Sequence, residues 1–298
     1  MLSSFSPLSR SLRCFSFVAL AGILLLSCSP PVERPKGPAA DYDDAKDMFK
    51  RGRFDRALDF TDALSKASPP NSYTERAQVL RAVIYTGELR SLKELAEAYA
   101  QGVEKTKNTQ FKAEYRRLEN DNLQAAARAA LNLAETAHQL AAGGTISKEL
   151  TLEASYPTTE GPTEVKELAR VKDGAWLEPE GASSQESAAA DSLRKGIDDA
   201  LADAVSGDRP KAVSALAGGS TKIEGVDFAL FLAKGLTDGA TIFDRKHQRD
   251  SLKMKTLCDE GDETLKATAA LLKEKPDADK EKALKKLQDQ FKTILKKG

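Results

Sequence analysis

The chain has 298 residues, of which 41% are hydrophobic and 6% aromatic, and its 45 lysines and arginines equal its 45 acidic residues. Zero net charge argues against a dedicated nucleic-acid binder, and the apolar fraction excludes a wholly disordered chain. Alanine (44) and leucine (36) exceed a quarter of all residues, which is helix composition and excludes an all-β protein.

The first 28 residues form a sorting device. Arg10 and Arg13 precede an apolar run from Phe15 to Leu26 with no acidic residue among them. The run is shorter than the about 20 residues a spanning helix needs. It ends in Leu25-Leu26-Ser27-Cys28, which resembles the lipobox of bacterial lipoprotein signal peptides. Leu26 is bulkier than the residue usual in that family. The resemblance implies diacylglycerol on the Cys28 thiol, cleavage after Ser27 and acylation of the new amino terminus. Two or more acyl chains anchor a protein stably. Ser29, rather than Asp, implies sorting to an outer membrane where one exists, on its periplasmic face. The segment through Pro30, Pro31, Pro35 and Pro38 is an extended spacer. Residues 1–27 are thus expected as signal peptide and 28–40 as lipidated cysteine and linker. With Cys14 removed and Cys28 acylated, Cys258 is left without a disulfide partner. It shares a helical face with Met254 and Leu257 and is expected to be a buried, inert thiol.

Residues 41–144 read as helices in pairs. Asp43–Arg51 is broken by Gly52, Phe54–Lys66 follows, and Pro69-Pro70 stops it. Ser72 with Glu75 is expected to cap a helix that runs to Thr86; Gly87 is expected to break it, and Ser91 with Glu94 to cap another. The two glycines lie 35 residues apart, and Gly52, Phe54, Ala57 and Pro69 fit the turn of a tetratricopeptide repeat, a family this segment resembles. Ala45 and Met48 depart from its pattern, and the second repeat keeps only Gly87. The resemblance implies a mainly α, solenoid-like stack of paired antiparallel helices. It also implies a groove for a protein or peptide partner, lined by Asp43, Asp47, Lys50, Tyr73, Arg76 and Arg81. Residues 109–142 predict one long helix, or two joined near Asn120-Asp121-Asn122, ending at Gly143-Gly144.

The texture changes at 145–182. Leu150, Leu152 and Tyr156 alternate with polar residues, and Asp173-Gly174 suits a tight turn, which predicts a small β-hairpin insertion carrying Trp176. Helix resumes over 183–298. Ser183 with Glu186 is a capping box, and Leu193, Ile197, Ala200, Leu201 and Ala204 make a stripe that closes at Gly207. A short helix spans 210–217. Val226–Phe243, apolar on nearly every side but interrupted by Asp227 and Lys234, predicts the central buried helix. Two more helices are expected to end near Glu260 and Glu274, with Asp259, Glu260, Asp262 and Glu263 in a solvated turn around Gly261. The last helix starts at Asp277 and turns Leu284, Leu287, Phe291, Ile294 and Leu295 to the core.

No catalytic constellation is visible, so an enzyme is not expected. Only His138 and His247 are present, too few for a histidine–cysteine metal site, and no phosphate-cradling loop occurs. No cofactor is expected beyond the lipid on Cys28, and no metal and no nucleic acid. Two functional readings stay open. One is a membrane-anchored interaction or scaffold module, because stacked helix pairs make extended binding surfaces. The other is a solute-binding accessory lipoprotein of a transport system, similar in architecture to the helical T-component of TRAP transporters.

Overall fold

The computed structural model describes residues 36–141, 144–157, 181–244 and 247–297, and of 181–190 and 297 it describes the backbone only. The lipobox, the Asp173-Gly174 turn and Trp176 therefore lie outside the described residues. The chain divides into Met1–Ala40 and the compact unit Asp41–Gly298.

The fold is mainly α with a small antiparallel β element. The elements are α1 (Pro38–Lys50), α2 (Phe54–Ser65), α3 (Thr74–Lys105), α4 (Thr109–Leu140), β1 (Glu149–Leu152), α5 (Gly181–Val205), α6 (Arg209–Ala215), β2 (Thr221–Glu224), α7 (Gly225–Ala240), a 3-10 turn (Thr241–Phe243), α8 (Ser251–Glu274) and α9 (Ala278–Lys297). The strand expected at Leu150 and Leu152 is present, and its partner is Thr221–Glu224, with Glu149 opposite Glu224 and Leu152 opposite Thr221. Leu150, Leu152 and Ile223 point inward and are buried, so this short ribbon is stabilised by the helices it covers.

Two helix breaks expected from glycine are absent. Helix α3 runs unbroken through Gly87 for 32 residues. A Cβ at Gly87 would lie 2.5 Å from the Ile197 Cα, and one at Gly196 would lie 2.7 Å from the Gly87 carbonyl oxygen. Both glycines serve the crossing of α3 and α5, where the two backbones touch. Ser91, expected as a cap, is buried in this seam with its Oγ 3.0 Å from Ser192 Oγ. The start of α3 is set by Asn71 rather than Ser72. The Asn71 side-chain oxygen accepts from Tyr73 N (2.8 Å), while the Asn71 backbone N–H donates to Thr74 Oγ1 (3.0 Å). Helix α8 likewise runs through Gly261 for 24 residues. The Phe291 ring of α9 sits on that glycine, 2.1 Å from where a Cβ would be. Asp259, Glu260, Asp262 and Glu263 are therefore a helix face, not a turn.

Of the two glycine turns aligned with tetratricopeptide repeats, one is a turn. Gly52 has φ +72° between α1 and α2, with Phe54 and Ala57 buried behind it. Helices α3 and α4 form instead a long antiparallel pair, each of 32 residues.

One continuous core cluster runs from Ala45 and Phe49 through Leu80, Ile84 and Leu133 to Ile197, Leu232, Leu257 and Phe291. Regions 41–144 and 183–298 thus share a core. Helix α7 crosses its middle as expected. Its Ala229, Leu232, Ala233, Leu236 and Ala240 are fully enclosed.

Candidate functional site

The other face of α7 mixes polar and apolar side chains. Asp227, Leu230, Phe231, Lys234, Thr237 and Asp238 recur at helical spacing and form one wall of a cleft of about 570 Å³. Asp203 to Gly207, at the end of α5, close one end, and Ala283, Lys286, Leu287 and Gln290 of α9 make the opposite wall. The volume lies within the range of ligand sites, about 300–1,000 Å³. Leu230, Phe231 and Leu287 are the largest apolar side chains of the lining, and small, uncharged polar and charged residues supply the remainder.

The cleft has two struts. From α3, Arg90 donates to Asp203 Oδ2 (2.8 Å), reaches Asp238 Oδ2 at 3.7 Å, and lays its guanidinium 6.0 Å from the centre of the Phe231 ring. It fixes the distance between the end of α5 and α7, and one of its terminal nitrogens is buried without a hydrogen-bond partner. Lys234 adds a second contact to Asp203 (3.2 Å). On the far side Lys280 ties α9 to Glu224 (2.7 Å) and Asp227 (2.8 Å). Lys275 and Lys280 together draw the Glu224 carboxyl down to about 2. Asp277 starts α9 by accepting the N–H groups of Asp279 and Lys280, both at 3.1 Å. Leu284, Leu287 and Phe291 are buried as expected, whereas Leu295 is exposed.

Of the six residues expected to line a tetratricopeptide-type groove, Arg81 is buried and the other five are partly or fully exposed. Arg81 is only 6% exposed. It donates to the Leu58 carbonyl (3.1 Å) and the Tyr85 hydroxyl (2.9 Å), and it pairs with Asp62 (3.1 Å). It faces inward and stitches α2 to α3, so no partner reaches it. Arg76 pairs with Glu153, just after β1, and Tyr73 packs on Tyr42 with ring centres 5.6 Å apart. Asp43 pairs with Lys46 (2.8 Å), which also reaches Glu153 (3.3 Å). Asp43, Tyr73 and Arg76 thus belong to one cluster that fastens α1 and α3 to the segment after β1. Asp47 pairs with Arg51 (2.9 Å), and Lys50 is exposed. The inward turn of Arg81 follows from its place among Val79, Leu80, Ala82 and Val83, which are all fully buried.

Cys258 is buried beside Met254 and Leu257, and burial pushes its thiol up to about 11, which favours the protonated form at neutral pH. His138 reaches Glu260 (3.2 Å) and His247 reaches Asp244 (2.8 Å), both near the surface. Among the described residues no cluster of three or more metal-ligating side chains occurs, and no helix is long and apolar enough to cross a membrane.

No protein-family model, curated protein or solved structure matches the chain. The cleft must therefore be read from its own chemistry. The sequence signal for it was the interruption of an apolar helix by Asp227 and Lys234, residues that mark the wetted side of an otherwise enclosed element. Asp203 and Arg90 carried no such signal, because they lie far from α7 in the chain and meet it only through the packing of α3 and α5.

Proposed function

We propose that the protein is a lipid-anchored protein of the cell envelope that captures a protein partner through the α5–α7–α9 cleft. The single observation supporting this reading is the lining of the cleft, an apolar floor of Leu230, Phe231 and Leu287 within a rim of charged side chains. Binding energy in such sites comes from apolar side chains entering a pocket, and the charged rim selects which chain enters. The anchor is Cys28, through the Leu25–Cys28 lipobox, and the Pro-rich segment after it supplies reach. No catalytic role is assigned. A second reading, a solute-binding accessory of a transport system, is favoured by the about 570 Å³ volume, which suits a small molecule.

Site-specific photocrosslinking in cells tests the first reading. A benzoylphenylalanine at Lys234, in the cleft wall, is expected to give a discrete higher-mass adduct, and one at Lys255, on the exposed side of α8, none. Equal adducts at the two positions, or none at Lys234, would remove the cleft as the docking site. Independently, Cys28→Ala is expected to abolish incorporation of labelled fatty acid; unchanged labelling would remove the anchor.

A further inference from the structure

Beyond Gln290 the cleft continues into an open hollow of about 680 Å³ between the end of α7 and α9. Its α9 wall carries Lys282, Lys285 and Lys286, at i, i+3 and i+4 on one helical face. The charges around the two hollows are unequal in a specific way. Each lining acid has a cationic partner: Asp203 has Arg90 and Lys234, Asp238 has Arg90, Asp227 has Lys280, and Asp289 has Lys292. Among the described residues Lys282, Lys285 and Lys286 form no ion pair, although Lys280 and Lys292 on the same helix do. The lining acids are therefore compensated, whereas the Lys282–Lys285–Lys286 row is not. Like charges at this spacing repel one another, and an anionic ligand relieves that repulsion.

We infer that the occupant of the cleft is an acidic amphipathic peptide segment of a partner protein, its carboxylates on the Lys282–Lys285–Lys286 row and its apolar side chains against Leu230, Phe231 and Leu287. The inference rests on the cleft being the docking site. Charge complementarity selects the acidic class, and the apolar floor beside the lysine row selects an amphipathic chain over a purely charged polymer. An anionic bilayer fits less well. It presents a broad surface, whereas these lysines border a hollow that opens onto the apolar lining of the cleft.

Random twelve-residue peptides displayed on phage are to be selected against the full chain in a neutral detergent. The recovered peptides are then measured against the chain, against Lys282→Gln/Lys285→Gln/Lys286→Gln and against Leu230→Arg, each checked for native helical content by circular dichroism. The expected winners pair Asp or Glu with Leu, Phe or Trp. They should lose roughly tenfold in affinity to the triple-glutamine chain, as three exposed ion pairs predict, and also lose affinity as salt is raised. Winners without acidic residues, winners indifferent to the triple substitution, or no winners at all would overturn the inference. Uncharged winners that still fail on Leu230→Arg would overturn the acidic partner and leave the cleft, whereas winners indifferent to Leu230→Arg would overturn both. Cosedimentation with phosphatidylglycerol vesicles through the same three lysines, uncompeted by the peptides, would assign the row to membrane and equally overturn it.

Discussion

Helix α3 meets α5 and α9 meets α8 through a glycine in each case, yet the two seams are built on different principles. At the first, Gly87 and Gly196 let two backbones touch, and a Cβ at Gly87 would collide with the Ile197 Cα. At the second, Gly261 opens a socket for a side chain, and what a Cβ would meet is the end of the Phe291 ring. A backbone cannot step aside, whereas a ring can. The first seam therefore sets helix positions, and the second holds in place the helix that carries one wall of the cleft.

The largest expected effect breaks this comparison directly. Inside an exposed helix Gly→Ala is stabilising by about 1 kcal/mol, but at Gly87 the added methyl has no room. Gly87→Ala is expected to destabilise by about 2–3 kcal/mol in a denaturant titration, and no single truncation of the Ile197 side chain should restore it, because the Cα remains in the way. A neutral or stabilising result would mean that α3 and α5 slide apart freely and that the two seams do not differ.

Gly261→Ala sharpens the contrast from the other side. The clash is with the far end of a side chain, so a loss of about 1–2 kcal/mol is expected, and Phe291→Leu in the same chain should recover part of it. The pair is expected to be non-additive in a double-mutant cycle, and additivity would show that the ring does not occupy the socket.

These glycines also mark where the sequence is legible and where it is not. Gly52 was readable as a turn because it separates two short helical patterns, the second running from Phe54 and stopped by Pro69-Pro70. Gly87 and Gly261 are the same residue in runs with no proline or capping side chain at work. Their partners, Ile197 and Phe291, lie 110 and 30 residues away, so local pattern alone reads a close approach as a break. The same distance hid β2, four residues whose partner strand lies across α5 and α6. Periodicity did place the long α4, the enclosed α7, the Cys258 face and most of the α9 stripe, because each is decided by one helix's own apolar spacing. The cleft needs three helices and the Arg90 strut, and no window of sequence contains them.

The smallest expected effect lies at Glu88, the residue after Gly87, which is half-buried and near the Asp55 carboxylate of α2. Burial, reinforced by the Asp55 carboxylate, raises the Glu88 carboxyl to about 7. A carboxyl raised in the folded state binds its proton more tightly there than in the unfolded chain, whose glutamate titrates at 4.5. Stability is therefore full below that lower value, falls as pH rises toward 7, and is level again above it. Glu88→Gln removes the group that must ionise at a cost. At pH 5 glutamine and protonated glutamic acid are nearly equivalent, so little change in melting is expected. At pH 8 the variant is expected to be the more stable by about 1 kcal/mol, after discounting for water at the rim of the site. Melting curves of the two chains across this range decide the matter. A stabilisation that is the same at pH 5 and pH 8 would mean that Glu88 is already ionised in the folded protein and that water reaches it; a destabilisation at both would mean that the carboxylate makes a contact the fold depends on.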